Sequence, residues 1–193
     1  MLENLRKYNI LFASKSPRRR ELLGQLRIPF KVVTLGMIPE NYPEELPAIE
    51  VAQYLSGIKA DAYKDIIGED ELLIAADTVV VLDGKVYGKP EDGADAVRML
   101  RELSGRVHQV ATGVTIAAKD KRTSFTTVTD VKFADLTEGD IRYYVDNYAP
   151  LDKAGAYGIQ EWIGCVAVES INGSYYNVMG LPVHRLYQEL RLF

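Results

Sequence analysis

The 193-residue chain holds one cysteine, two histidines and one tryptophan. A single thiol, Cys165, can form no internal disulfide and no four-cysteine zinc site, so a reducing, cytoplasmic location is expected. With only His108 and His184, histidine-based zinc chemistry and a serine–histidine triad have little to build on. Neither G-x-x-x-x-G-K-[ST] nor G-x-G-x-x-G occurs, which removes support for a P-loop kinase or a Rossmann cofactor, and H-E-x-x-H and G-x-S-x-G are missing as well. No apolar run approaches the ~20 residues of a membrane span. The start of the chain, with an early acid and a short apolar run before a cationic cluster, is not laid out as a signal peptide, so a soluble protein is expected. Positive charge is in deficit, 23 Lys and Arg against 27 Asp and Glu for a net −4, which disfavours DNA or a membrane surface as partner.

What is present is ordinary globular composition, 47% hydrophobic and 26% charged, and a chain this long buries roughly 70% of its unfolded surface. Tyr8 to Ser14 reads as a buried strand, and Ser16 as cap with Pro17 as first residue starts a helix bearing Leu22, Leu23 and Leu26. Phe30 to Thr34 reads as a second strand. Val51, Leu55, Ile58 and Ala62 mark one helix face. Leu72 to Leu82 is a long strand turning at Asp83-Gly84. Ala96, Val97, Leu100 and Leu103 predict a helix closed by Gly105. Val107 to Ala118 and Thr123 to Ala134 form a second hairpin, Thr137 caps a helix stopped by Pro150, Cys165 to Val168 reads as strand, and a last helix starts at Leu181-Pro182. Strands interleaved with helices predict an α/β fold with some antiparallel pairing, and with no repeat or low-complexity linker, residues 1–193 are expected to form one domain, or two small lobes.

Several residues are costly to explain by packing alone. Arg18, Arg19 and Arg20 occupy a helix first turn, where the macrodipole favours anions, so the strand, the Ser14-Lys15-Ser16 turn and the helix start form a phosphate-sized nest. A solvated basic turn is the alternative. Asp77 interrupts the uncharged run Leu72 to Leu82, and a carboxylate there needs a cation, a metal or strong donors. The alternative is an Asp that caps a turn or pairs with an Arg. Lys59 sits at the edge of its helix's apolar face, consistent with a site residue or with simple snorkelling. Lys89, between Gly88 and Pro90, follows the hairpin that can return it toward Asp77; a solvated turn lysine is the alternative. The glycine-rich Asp152 to Gln160 lets backbone approach a ligand, and Gln160 offers the paired donor and acceptor that read a base edge. Asn172 to Asn177 is a second close-approach loop or a plain turn. Cys165 reads as a small core residue.

Leu11-Phe12-Ala13-Ser14-Lys15-Ser16-Pro17-Arg18-Arg19, Ala76-Asp77-Thr78-Val79-Val80, Gly88-Lys89-Pro90, Leu103-Ser104-Gly105, His108-Gln109-Val110, Asp152 to Gln160, Ile171-Asn172-Gly173-Ser174-Tyr175 and Gly180-Leu181-Pro182 occur in an order that resembles the Maf family of nucleoside triphosphate pyrophosphatases. The match runs from about residue 9 to residue 187. The resemblance implies an elongated mixed sheet with flanking helices and two lobes around a central cleft, as in Maf and inosine triphosphatase folds. It also implies a cytoplasmic enzyme hydrolysing a nucleoside triphosphate to the monophosphate and pyrophosphate with a divalent cation, Mg²⁺ or Mn²⁺, and a tendency to form homodimers. By that analogy Asp77 is the proton acceptor, and Arg18, Thr78 and Gln160 match the specificity positions of the branch preferring dTTP and UTP, including modified pyrimidine nucleotides. Glu40 stands nearest to an acid the family carries after its second strand, a metal-site candidate beside Asp77. Ser14, Arg18, Lys59 and Lys89 are the expected phosphate-binding set. The rival from another class is a non-enzymatic nucleotide or nucleic-acid binding regulator of cell division, against which the acidic total counts; a purine-directed hydrolase is a nearer rival.

Overall fold

The computed structural model describes residues 2–36 and 38–193; Met1 and Met37 lie outside the described residues. Strand β1 (Asn9–Ala13) enters α1 (Pro17–Gln25) through a turn in which the Ser16 hydroxyl accepts the Arg19 N–H and Pro17 takes the first helical position, where no N–H is needed. β2 is only Lys31–Val32, shorter than the expected run because both residues are exposed and only β1 borders them. A 3₁₀ turn at Ala48–Glu50 leads into α2 (Val51–Asp61). β3 (Glu71–Leu82) reverses at Asp83 and Gly84, both at positive φ as a two-residue hairpin demands, into β4 (Lys85–Tyr87). Then come α3 (Gly93–Leu103), capped by Asp92, and the long hairpin of β5 (Val107–Ala117) and β6 (Arg122–Phe133). α4 (Glu138–Tyr148) opens on a reciprocal cap between Thr137 and Asp140. A 3₁₀ turn at Ala154–Ala156, α5 (Trp162–Ala167), β7 (Val168–Asn172), α6 (Tyr175–Met179) and α7 (Val183–Leu192) complete the chain.

The seven strands form one mixed sheet in the order β2-β1-β3-β5-β6-β7, with β4 as a further partner of β3. β1 runs parallel to β2 and β3, and every other pairing is antiparallel. Leu72, Leu73, Ile74, Ala75 and Ala76 are all buried, so this stretch of β3 is covered on both faces and reads as a continuous apolar run rather than an alternating one. Phe12, Leu22, Leu23, Leu186 and Leu190 tie α1 and α7 to one end of the sheet, while Leu100, Leu103, Phe133, Ile141 and Tyr144 tie α3 and α4 to the other. The long strands β3, β5 and β6 run through both ends of this one mixed sheet.

Two details of the fold place the site. Along one edge, β3 pairs with β1 at Glu71–Ala75 and with β4 at Val80–Leu82, so among the described residues Ala76 to Val79 have no strand partner on that side. Crevices beyond the carboxyl end of a parallel strand are where open α/β sheets take ligands, and this gap begins where β1 ends. On the sheet face, Gly113 stands opposite Asp77 in the β3–β5 register, and a Cβ on it would collide with the backbone of Ala52 and Gln53. The missing side chain lets α2 lie directly on β5, which carries Lys59 over β3.

The segment around Cys165 departs from the expected strand. It is helix α5, because Ile163 and Ala167, four apart, are its buried residues, a helical spacing, and Cys165 on the other side is exposed rather than core. The 172–177 loop likewise contains the start of α6, whose cap is the Ser174 hydroxyl accepting from Asn177 N–H. No helix of the described residues is long and apolar enough to cross a membrane.

Candidate active site

A cleft of about 860 Å³ opens over the gap in β3. Lys15, Arg18, Arg19, Lys59, Lys89 and Lys153 line it against Glu40, Asp77 and Asp152, a surplus of three positive charges in a protein of net −4. Ser14, Thr78 and Gln160 line this same cleft, whereas Arg20, the third arginine of the helix start, does not and is exposed.

Asp77 sits in the gap with its side chain 13% exposed, and Lys59 answers it. The ammonium donates to Asp77 Oδ1 at 2.9 Å and lies 2.8 Å from Glu40 Oε1, bridging both carboxylates. Lys59 therefore reaches inward from the edge of α2 rather than snorkelling to solvent. Partial burial works to raise the Glu40 carboxyl, but the hydrogen bond and charge of Lys59, with Lys89 and Arg19 behind it, outweigh that and hold it below the usual range. Among the described residues no hydrogen bond engages Asp77 Oδ2, which leaves that oxygen for a ligand or a proton.

Arg19 was singled out by the sequence only as one of three cations in a helix start, yet it is the most committed of them. Its Nε donates to Gly180 O at 2.8 Å, Nη1 to Ala76 O at 2.9 Å and Nη2 to Thr78 Oγ1 at 2.8 Å, and Asp77 Oδ1 lies 3.9 Å away. Ala76 O is one of the carbonyls that the gap leaves without a strand, so the guanidinium stands in for the missing β-ladder donor. Gly180, in the left-handed region at φ 116°, turns its own carbonyl toward the same fork. Burial lowers the guanidinium's pKa, against the pull of Asp77. Thr78 then lies 3.0 Å from the Thr112 hydroxyl, which donates to Asn177 O at 3.1 Å, a polar chain running under the floor of the cleft.

Arg18 turns the other way and donates through Nη1 to Asp152 Oδ2 at 2.9 Å. Burial works to raise Asp152, but its bonds from Lys153 and Arg18 prevail and hold it at about 2. Lys153 is the second residue that sequence reasoning passed over, quoted only as part of a glycine-rich motif; its ammonium, 8% exposed, pairs with Asp152 at 2.7 Å and Glu161 at 3.1 Å. Lys15 and Lys89 are exposed on the rim and form no ion pair among the described residues. Ser14 is buried, and its hydroxyl accepts from the Ser16 N–H at 3.2 Å, shaping the turn. Gln160 is exposed at the far wall.

Among the described residues no three His, Cys, Asp or Glu side chains gather as a metal site. Two hard carboxylates, Asp77 and Glu40, share Lys59, and that donor set suits a Mg²⁺-type ion whose other ligands are waters and substrate phosphate oxygens.

The family model described as Maf-like protein matches residues 9–193. A protein of Bacteroides thetaiotaomicron named dTTP/UTP pyrophosphatase is 56% identical over 191 residues, 99% of each chain. One of Parabacteroides distasonis with the same name is 54% identical over 193 residues, all of each chain. Among solved structures, a HAM1 protein from Coxiella burnetii has the same fold, with a TM-score of 0.52 at 15% identity over 96% of this chain and 100% of that one.

Proposed function

The chain belongs to the Maf family, and from that premise we propose that its cleft hydrolyses dTTP and UTP to the nucleoside monophosphate and pyrophosphate. The observation that carries this reading is Asp77, a carboxylate in a gap of a buried strand, matched by Lys59 and surrounded by a local excess of cations. A net charge of −4 disfavours a long polyanion, and the local surplus suits one compact triphosphate.

Lys15 and Lys89, without an ion pair among the described residues, hold the triphosphate together with Lys59 and the donors of the Ser14 turn. Arg18 keeps donors free beyond its bond to Asp152, and the Gln160 amide offers one donor and one acceptor, the complement of the N–H and C=O of a thymine or uracil imide. Thr78, fixed by Arg19, lines the same cleft. Asp77 takes the proton of the water that attacks the α-phosphorus; the bond to the α,β-bridging oxygen breaks and pyrophosphate departs. A Mg²⁺ or Mn²⁺ ion held by Asp77, Glu40 and phosphate oxygens would neutralise charge on the leaving group.

The test is pyrophosphate release from a panel of dTTP, UTP, dGTP and ITP with Mg²⁺ or Mn²⁺. Release from dTTP and UTP is expected. Asp77→Asn is expected to lower turnover by about 10²-fold or more while nucleotide binding persists, the contribution of a positioned base. Preference for ITP would replace the substrate class, near-normal turnover in the variant would remove Asp77 from this role, and release from no nucleotide would favour a binding module.

A further inference from the structure

Arg18 and Gln160 stand on different elements, α1 and the loop before α5, yet one run of side chains connects them. Asp152 accepts Arg18 Nη1 on Oδ2 at 2.9 Å and Lys153 Nζ on Oδ1 at 2.7 Å. The same ammonium reaches Glu161 Oε1 at 3.1 Å. Glu161 Oε2 accepts from the Tyr144 hydroxyl, and that hydroxyl accepts from the Gly158 N–H at 3.0 Å. Gly158 and Glu161 bracket Gln160, so both flanks of that residue are tied to the network that ends on Arg18.

We infer that Lys153 is a positioning residue for base discrimination, its buried ammonium setting where the Arg18 guanidinium stands relative to Gln160. The inference rests on the pyrophosphatase reading and deepens it. A buried cation persists when its partners are matched, and here two carboxylates share it, so removing it would leave both to repel each other. At 8% exposure and with both neighbours engaged, Lys153 acts through Asp152 and Glu161 rather than on the substrate. Asp152 in turn fixes one arm of Arg18 and offsets its charge, which leaves the remaining N–H groups as oriented donors suited to a base carbonyl. The Tyr144 hydroxyl, pushed far up in pKa by burial and by Glu161, stays protonated and carries the chain to Gly158.

The experiment compares the full chain with its Lys153→Met and Tyr144→Phe variants, measuring kcat and KM on dTTP, UTP, dGTP and ITP and the inhibition constant of inorganic tripolyphosphate, which has no base. Tyr144→Phe keeps all the buried charges paired and decides the matter if Lys153→Met fails to fold. Misplacing a substrate-orienting group changes kcat/KM by about ten- to a hundredfold, so both variants are expected to lose that much on dTTP and UTP while dGTP and tripolyphosphate change by less than about threefold. An equal loss on all four nucleotides, or a weaker hold on tripolyphosphate, would make Lys153 a phosphate ligand or a general prop and overturn the inference. An unchanged ratio of dTTP to dGTP in an active enzyme would overturn it while leaving the function intact. A wild-type chain that released no pyrophosphate from either pyrimidine nucleotide would overturn both.

Discussion

Replacing Arg19, whose guanidinium lies 3.9 Å from Asp77, by lysine keeps a positive charge on this side chain and removes the planar fork. The wild-type guanidinium makes three hydrogen bonds, to Gly180 O, Ala76 O and Thr78 Oγ1, and these acceptors lie in three directions that one ammonium on a single stem cannot serve together. Keeping one and losing two, at about 1.5–3 kcal/mol for each bond to a charged group, gives a gross loss of about 3–6 kcal/mol. With the side chain 14% exposed, water can reach part of the vacated space, so the net is expected near the lower end, about 3 kcal/mol. That is a large share of the roughly 5–15 kcal/mol by which a domain is stable, and at about 2–4 °C per kcal/mol for a chain of this size it lowers Tm by roughly 6–12 °C. Urea unfolding at pH 7 reads it as a reduced midpoint with an unchanged slope. A loss under about 1 kcal/mol would mean that Arg19 is not the clasp that substitutes for a strand across the gap, and that the wall of the cleft is held by apolar packing alone.

His108 is buried with Nε2 on the Tyr157 hydroxyl at 2.8 Å and Nδ1 without a hydrogen-bond partner among the described residues, and burial pushes it down to about 4 from 6.5. Because the folded pKa lies below the unfolded one, its contribution is intact above pH 6.5 and is lost as pH falls toward 4, up to about 3 kcal/mol; His108→Gln should flatten that limb of the urea midpoint, and an unaltered limb would assign it to other groups. Gly113→Ala must push α2 off β5, so reduced stability of at least about 2 kcal/mol together with weakened turnover is expected, and a variant with wild-type Tm would contradict the close approach. Lys59→Met removes the cation that holds Glu40 low, so the acid limb of the kcat/KM profile should move to higher pH, and an unmoved limb would show that Glu40 ionisation does not govern it.

Much of the frame was legible because its signals are local. The Ser16-Pro17 start of α1, the Asp83-Gly84 reversal and the Thr137 cap each depend on backbone geometry within four residues, and each stands where the sequence puts it. The Cys165 segment misled because four small or branched residues satisfy a strand pattern, while the deciding spacing, Ile163 to Ala167, starts two residues earlier.

The sequence by itself determined the α/β class, the family, the set of charged residues worth watching and the oddity of Asp77, since an isolated carboxylate in an apolar run is anomalous wherever the run folds. Only the tertiary structure decided how those charges combine. That Arg19 replaces a missing strand, that Lys59 couples Asp77 to Glu40, and that Lys153 joins Arg18 to the loop of Gln160 are pairings between elements distant in the chain. They are set by where β1 stops, by how closely α2 can lie on Gly113 and by how α4 meets the loop before α5, and residue spacing carries no record of those distances.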